Sequence, residues 1–369
     1  MEDIFFAILI ILSINDMNAN GLNKFNQDYM DLKYTSSLRG IFVWLIILSH
    51  HNSYYKNYNY LYTKIIYCLN QKIVSLFLFY SGYGIYESIK IKGTNYVKTL
   101  PKKALILYIK FLIIIFLFFV SNLILKIKYN IIRYLLSMIF ISDVGNSNWF
   151  AFTIIIFYIY SYISFICIKS ISRQFLGIIY INIIIIIHIY FTYNYFYQKK
   201  MYAVDNSLCF VLGFYYSLLK KYIDGILMKD DIHYFSIASL MIIIFFYLYI
   251  NIFKSISTNL FSNCSFCIII VIISMKIRFY NQFLLFLNSH SFSIYLLQRI
   301  VMSFISYKNF FKKNEFIRLF YEFITIISFS CIFDKYTTID KLFSYKNNKM
   351  ILVLSLMKKQ KYLKLNESI

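Results

Sequence analysis

Apolar runs about twenty residues long, separated by short polar or basic stretches, recur along the chain. Coiled as a helix at ~1.5 Å per residue, such a run matches the ~30 Å hydrocarbon core of a bilayer. The pattern predicts an all-α, polytopic bundle of about ten transmembrane helices, at residues 38–51, 73–86, 104–125, 149–168, 176–196, 204–219, 235–253, 260–275, 283–305 and 316–333. Two apolar segments fall outside that set. Residues 1–14 have an apolar core of about eleven residues, too short to span comfortably. They carry Glu2 and Asp3 where a secretory leader has cations, and predict an interfacial or partial helix. Residues 131–141 are short, with Arg133 near their start, and predict a re-entrant or interfacial segment. The chain therefore divides into a short apolar segment with a polar loop (1–37), one membrane domain (38–333) and a basic tail (334–369).

Composition narrows this further. With 60% hydrophobic residues and a single proline in 369, a soluble fold is excluded. The net charge of +22 is spread over many loops and the tail, which argues against a nucleic-acid surface. It sets orientation instead. The loop holding Lys90, Lys92, Lys98, Lys102 and Lys103 reads as cytoplasmic. Ten crossings put roughly 22 Lys and Arg in inner loops against about 12 outside, with the stretch 308–313 as an outer exception. Of the six cysteines, Cys264-x-x-Cys267 lacks a second pair, so they predict small core residues and no metal site. Gly82 and Gly84, in the second span, predict close helix packing.

The stretch Ser37-Leu38-Arg39-Gly40-Ile41-Phe42-Val43-Trp44-Leu45-Ile46-Ile47-Leu48-Ser49-His50 brackets a greasy helix with a cation and an imidazole. Eleven residues at ~100° each leave the two side chains ~20° apart around the axis and ~16 Å apart along it. They share a face at two depths, Arg39 near the cytoplasm and His50 towards the outside. Snorkelling at both interfaces is the structural alternative. The functional reading is that Arg39 binds an anionic group entering from the cytoplasm, while His50 takes a proton or an acyl group. That depth difference suits an acyl-coenzyme A, whose phosphates pair with Arg39 while its arm reaches His50. His51 is turned a further ~100° and points elsewhere. His188 predicts a packed histidine, and His233 beside Asp230 and Asp231 a solvated loop. His290, in Asn288-Ser289-His290-Ser291-Phe292-Ser293, is a further candidate for a cavity wall. No Gly-rich phosphate loop, Walker sequence or Gly-x-Ser-x-Gly elbow occurs, and no His-x-x-x-x-Asp begins at His50 or His51.

The Arg39-to-His50 spacing, Phe79-Tyr80-Ser81-Gly82-Tyr83-Gly84-Ile85-Tyr86, Asn95-Tyr96 with Lys102-Lys103, Asn148-Trp149-Phe150, Leu212-Gly213-Phe214 and Ser291-Phe292-Ser293-Ile294-Tyr295-Leu296 together resemble the acyltransferase 3 family. These are integral-membrane O-acyltransferases of bacterial surface glycans. The resemblance runs over roughly positions 34 to 333. It implies that Arg39 and His50 are essential. The activity it implies is transfer of an acetyl or similar acyl group from cytoplasmic acyl-CoA to a sugar hydroxyl of a surface or lipid-linked polysaccharide. On this expectation the site also draws on Ser81, Tyr83 and Lys103 along the donor path, needs no bound cofactor or metal, and sits in a bacterial inner membrane. Many members carry His after the Tyr-Leu segment, where this chain has Leu297-Gln298. The alternative from another class is a transporter or flippase of a lipid-linked glycan, which predicts an internal repeat that the sequence does not display.

Overall fold

The computed structural model describes residues 2–55, 61–69, 72–168, 174–251, 256–307 and 314–337. In order they form α1 (Glu2–Ile14), β1 (Asn18–Ala19), α2 (Leu32–Tyr55), α3 (Leu61–Leu69), α4 (Lys72–Lys92), α5 (Thr94–Val97), α6 (Leu100–Ile124), α7 (Ile131–Met138), α8 (Trp149–Phe165), α9 (Gln174–Leu227), α10 (Asp231–Ile250), α11 (Ile256–Lys276), β2 (Ile277–Arg278), α12 (Gln282–Ser289), α13 (Ser291–Tyr307) and α14 (Glu315–Tyr336). The fold is a helical bundle. Among the described residues its strands are β1 and β2, an antiparallel pair with Asn18 opposite Arg278. The stretch 308–313 and the basic tail beyond residue 337 lie outside the described residues.

Six described helices are long and apolar enough to cross a membrane, and a seventh is reached if α3 and α4 count as one broken span. The expected ten is not met by that measure, for reasons of length and continuity. Helices α8 and α13 have 17 residues each, at the lower limit for a crossing. Helix α9 runs for 54 residues, or ~80 Å if straight. It is not straight. Asn182 Nδ2 donates to the Tyr215 hydroxyl at 3.3 Å, whereas 33 residues of straight helix would hold them ~50 Å apart. The two arms of α9 therefore lie side by side. Phe157 on α8 confirms the fold-back by meeting both, with ring centroids 5.9 Å from His188 and 4.8 Å from Phe210. The expected spans 176–196 and 204–219 correspond to these arms.

The tightest helix pair is α4 with the second arm of α9. A Cβ on Gly82 would overlap the carbonyl of Phe210, and one on Gly213 would overlap the carbonyl of Phe79. Each glycine thus admits the opposite backbone, the use of small residues expected between membrane helices. Gly84 has open space around it, so the expected packing role rests on Gly82. Gly40 does the same for α2, whose backbone meets that of α12 at Leu284.

Helix α1 is partial in length, with 13 residues, and packs into the bundle. Phe5 stacks edge-on with Phe316, Phe320 and Phe323 of α14, and the Trp44 indole donates to Ser13 Oγ at 3.0 Å. Its opposite face, with Ile4, Ile8 and Ile11, is exposed. Helix α7 has eight residues, only ~12 Å, and cannot cross.

Candidate functional site

Arg39 projects from the first turns of α2, where its own helix holds it. Nε donates to the Thr35 carbonyl at 3.2 Å, a terminal nitrogen donates to Ser36 Oγ at 3.0 Å, and the guanidinium lies 6.0 Å from the Tyr80 ring centroid. Beside it opens a cavity of about 150 Å³, walled by α2, α4, α6, α8 and α13. Its polar lining comes from Arg39, Ser81, Tyr158, Ser291 and Tyr295. Bulky Phe77, Phe150 and Ile154 supply much of the rest.

Tyr295 connects the cavity to His50. It lines the cavity, bonds Ser147 through its hydroxyl at 3.1 Å, and has its ring centroid 6.3 Å from that of His50. The predicted shared face of Arg39 and His50 thus opens on one wall, with Arg39 lining the cavity and His50 one ring beyond it. On its other side His50 meets Arg299 of α13, whose terminal nitrogen lies 3.3 Å from Nδ1. A guanidinium has only donors, so Nδ1 accepts, and the proton of the neutral ring sits on Nε2.

His51 points elsewhere, as its position requires, and lands on a carboxylate. Its Nδ1 lies 2.7 Å from Glu322 of α14, with both side chains almost fully buried. The other Glu322 oxygen accepts from the Tyr55 hydroxyl at 2.7 Å, and Arg318 lies 3.7 Å above the Tyr55 ring. His290, at the end of α12, is held by Asp334 at 2.7 Å, and the second oxygen of Asp334 takes Ser293 at 2.6 Å and Lys110 at 2.7 Å.

The remaining sequence candidates separate. Ser81 lines the cavity while bonding back to the Phe77 carbonyl at 2.7 Å. Tyr83 packs towards Tyr216, and Lys103 bonds the Tyr96 hydroxyl at 3.1 Å; the cavity wall includes neither. His188 is buried in the core, near Tyr160 and Thr192. His233 lies in the first turn of α10, where Asp230 caps the helix; the backbone and ring of His233 hold the Asp230 carboxyl below the usual carboxylate range. Among the described residues no cluster of three or more His, Cys, Asp or Glu could hold a metal ion.

Sequence reasoning passed over Arg299, Glu322 and Asp334. The signal was present: each is an ionisable residue in or at the end of an apolar run, where the membrane makes unpaired charge costly.

A helical bundle with six described helices of membrane length, and an internal cavity lined by Arg39 with His50 one ring beyond it, defines a multi-pass membrane protein with an internal polar chamber. A family model for the acyltransferase domain of acyltransferase 3 proteins matches residues 32–334. The chain belongs to that family, and its broad function is that of a membrane acyltransferase. No curated protein and no solved structure matches it.

Proposed function

We propose that the chain is an O-acyltransferase of the bacterial inner membrane, with ten crossings, that moves an acetyl or similar small acyl group from cytoplasmic acyl-CoA to a sugar hydroxyl. The acceptor is a surface or lipid-linked polysaccharide. The observation that carries this reading is the single wall joining Arg39, through the cavity and Tyr295, to His50. Arg39 is the donor-side cation, suited to phosphate by its planar fork. His50 is the base for the hydroxyl or the transient carrier of the acyl group. Ser81 in the wall, with Tyr83 and Lys103 outside it, belongs to the donor's approach. Acyl-CoA enters as a substrate, and no resident cofactor is needed because a thioester already carries a good leaving group.

Mass spectrometry of surface glycan from cells with and without the gene tests this directly. The expected result is the loss of one acyl unit per modified sugar, reproduced by His50→Ala at normal membrane levels of the protein. Unchanged ester content, with lipid-linked precursor accumulating inside, would instead indicate an export component.

A further inference from the structure

We propose that Arg299, which stands against His50 beyond the cavity lining, marks a second anion site, so that the acceptor carries a carboxylate or phosphate group beside the hydroxyl that is acylated. This rests on the acyltransferase reading above. The described arginines fall into two groups. Arg133 pairs with Asp143, Arg278 with Asp28 and Arg318 with Glu315. Arg39, in the cavity wall, and Arg299, against His50, meet no carboxylate among the described residues. The internal stretches outside the described residues (56–60, 70–71, 169–173, 252–255 and 308–313) contain no Asp or Glu, and the acids of the tail, Asp340 and Glu367, lie outside the described residues.

Arg299 is the less satisfied of the two. One terminal nitrogen makes a long 3.3 Å contact to the His50 ring, and its Nε is buried with no partner. A guanidinium inside a membrane domain is costly when unpaired. The partner that fits it best is an anion with two oxygens, carboxylate or phosphate, bound through parallel N–H bonds. Depth decides which reactant brings that anion. Arg299 meets His50, ~16 Å along α2 from Arg39, the cation assigned above to the donor's phosphates. The outer anion therefore belongs to the acceptor.

The arrangement also explains the covered nitrogen. An anion that draws Arg299 towards itself uncovers the lone pair on His50 Nδ1. Nδ1 then takes the hydroxyl proton as the oxygen bonds the acyl carbon. The C–S bond breaks, and the proton passes to the departing thiolate sulfur.

The test uses the full chain purified in detergent, with glucuronate, a short polyprenyl phosphate, glucose and acetyl-CoA as probes in titration calorimetry. Wild type is expected to bind at least one of the two anions at least tenfold more tightly than glucose. Glucuronate alone identifies an acidic sugar, and polyprenyl phosphate alone a lipid-linked one. Arg299→Gln should erase the preference while acetyl-CoA affinity stays within twofold, and Arg39→Gln should do the reverse. Arg299→Lys, which keeps charge but loses the fork, should lower the preference at least threefold, and it stands in if the Gln variant does not fold. Absence of the preference in wild type, or its survival in both Arg299 variants, overturns the proposal. If acetyl-CoA fails to bind wild type while the anion preference depends on Arg299, the donor assignment falls and the anion site stands.

Discussion

His50 and His51 are neighbours on α2, turned ~100° apart, and they meet opposite chemistries. His51 hydrogen-bonds Glu322 through Nδ1, in an enclosed pair that the Tyr55 hydroxyl also joins. His50 accepts at Nδ1 from a guanidinium and stands beside Tyr295 at the end of a cavity. One imidazole is closed off by a matching carboxylate, and the other faces a guanidinium. Satisfied buried charges hold helices together, whereas unsatisfied ones mark where a ligand completes the set. A closed clamp and the proposed acyl-transfer site thus occupy adjacent positions on one helix.

Breaking each side separately gives the largest effects. His50→Ala should reduce acyl transfer from isotope-labelled acetyl-CoA by about 10²–10⁴-fold, with an unchanged unfolding midpoint. His51→Ala leaves Glu322 buried without its imidazole and should cost about 3–5 kcal/mol of stability, read by thermal unfolding in detergent. Equal stability losses in the two variants would erase the distinction between clamp and site. A smaller effect tests whether that distinction extends beyond α2. Gly213→Ala should force α9 off α4 at about 1–3 kcal/mol without moving the pH profile of transfer. On the His50 face, Arg39→Lys should weaken acetyl-CoA binding about tenfold, or ~1.4 kcal/mol, by losing the bidentate fork. The smallest effect is a control at the surface. Asp230→Ala should slightly lower the unfolding midpoint near neutral pH. Because the folded Asp230 pKa is depressed, its contribution is complete above the ordinary carboxylate pKa of ~3.9. The difference from wild type should therefore close as pH falls.

Much of the bundle was legible in hydropathy because a helix must hide its backbone groups in lipid, whatever its neighbours do. Most expected segments fall on one helix, and 176–196 and 204–219 on the two arms of α9, but the expected span 283–305 is split at His290 into α12 and α13. Periodicity also placed Arg39 and His50 on one face and His51 on another, since angles within a helix depend only on residue count. Partners across helices were not legible. Glu322 lies 271 positions from His51, and Arg299 lies 249 from His50. No periodic rule links such positions. A lone acid in the last apolar run could have flagged Glu322, but only packing shows that it belongs to His51 and not to His50. The number of crossings was blurred for a related reason: α8 and α13 have only 17 residues each, so their own length does not decide whether they cross.

The reciprocal glycine contacts between α4 and the second arm of α9 bear on how the chamber could open. With Gly82 seated on the Phe210 carbonyl and Gly213 on the Phe79 carbonyl, the two backbones interlock like a stepped joint, and sliding either helix along the other drives main chain into main chain. This joint fixes α4, one of the five walls of the cavity, from behind. On the proposed acyl transfer, motion that admits the donor falls to the cavity walls that this joint does not lock, those of α2, α6, α8 and α13.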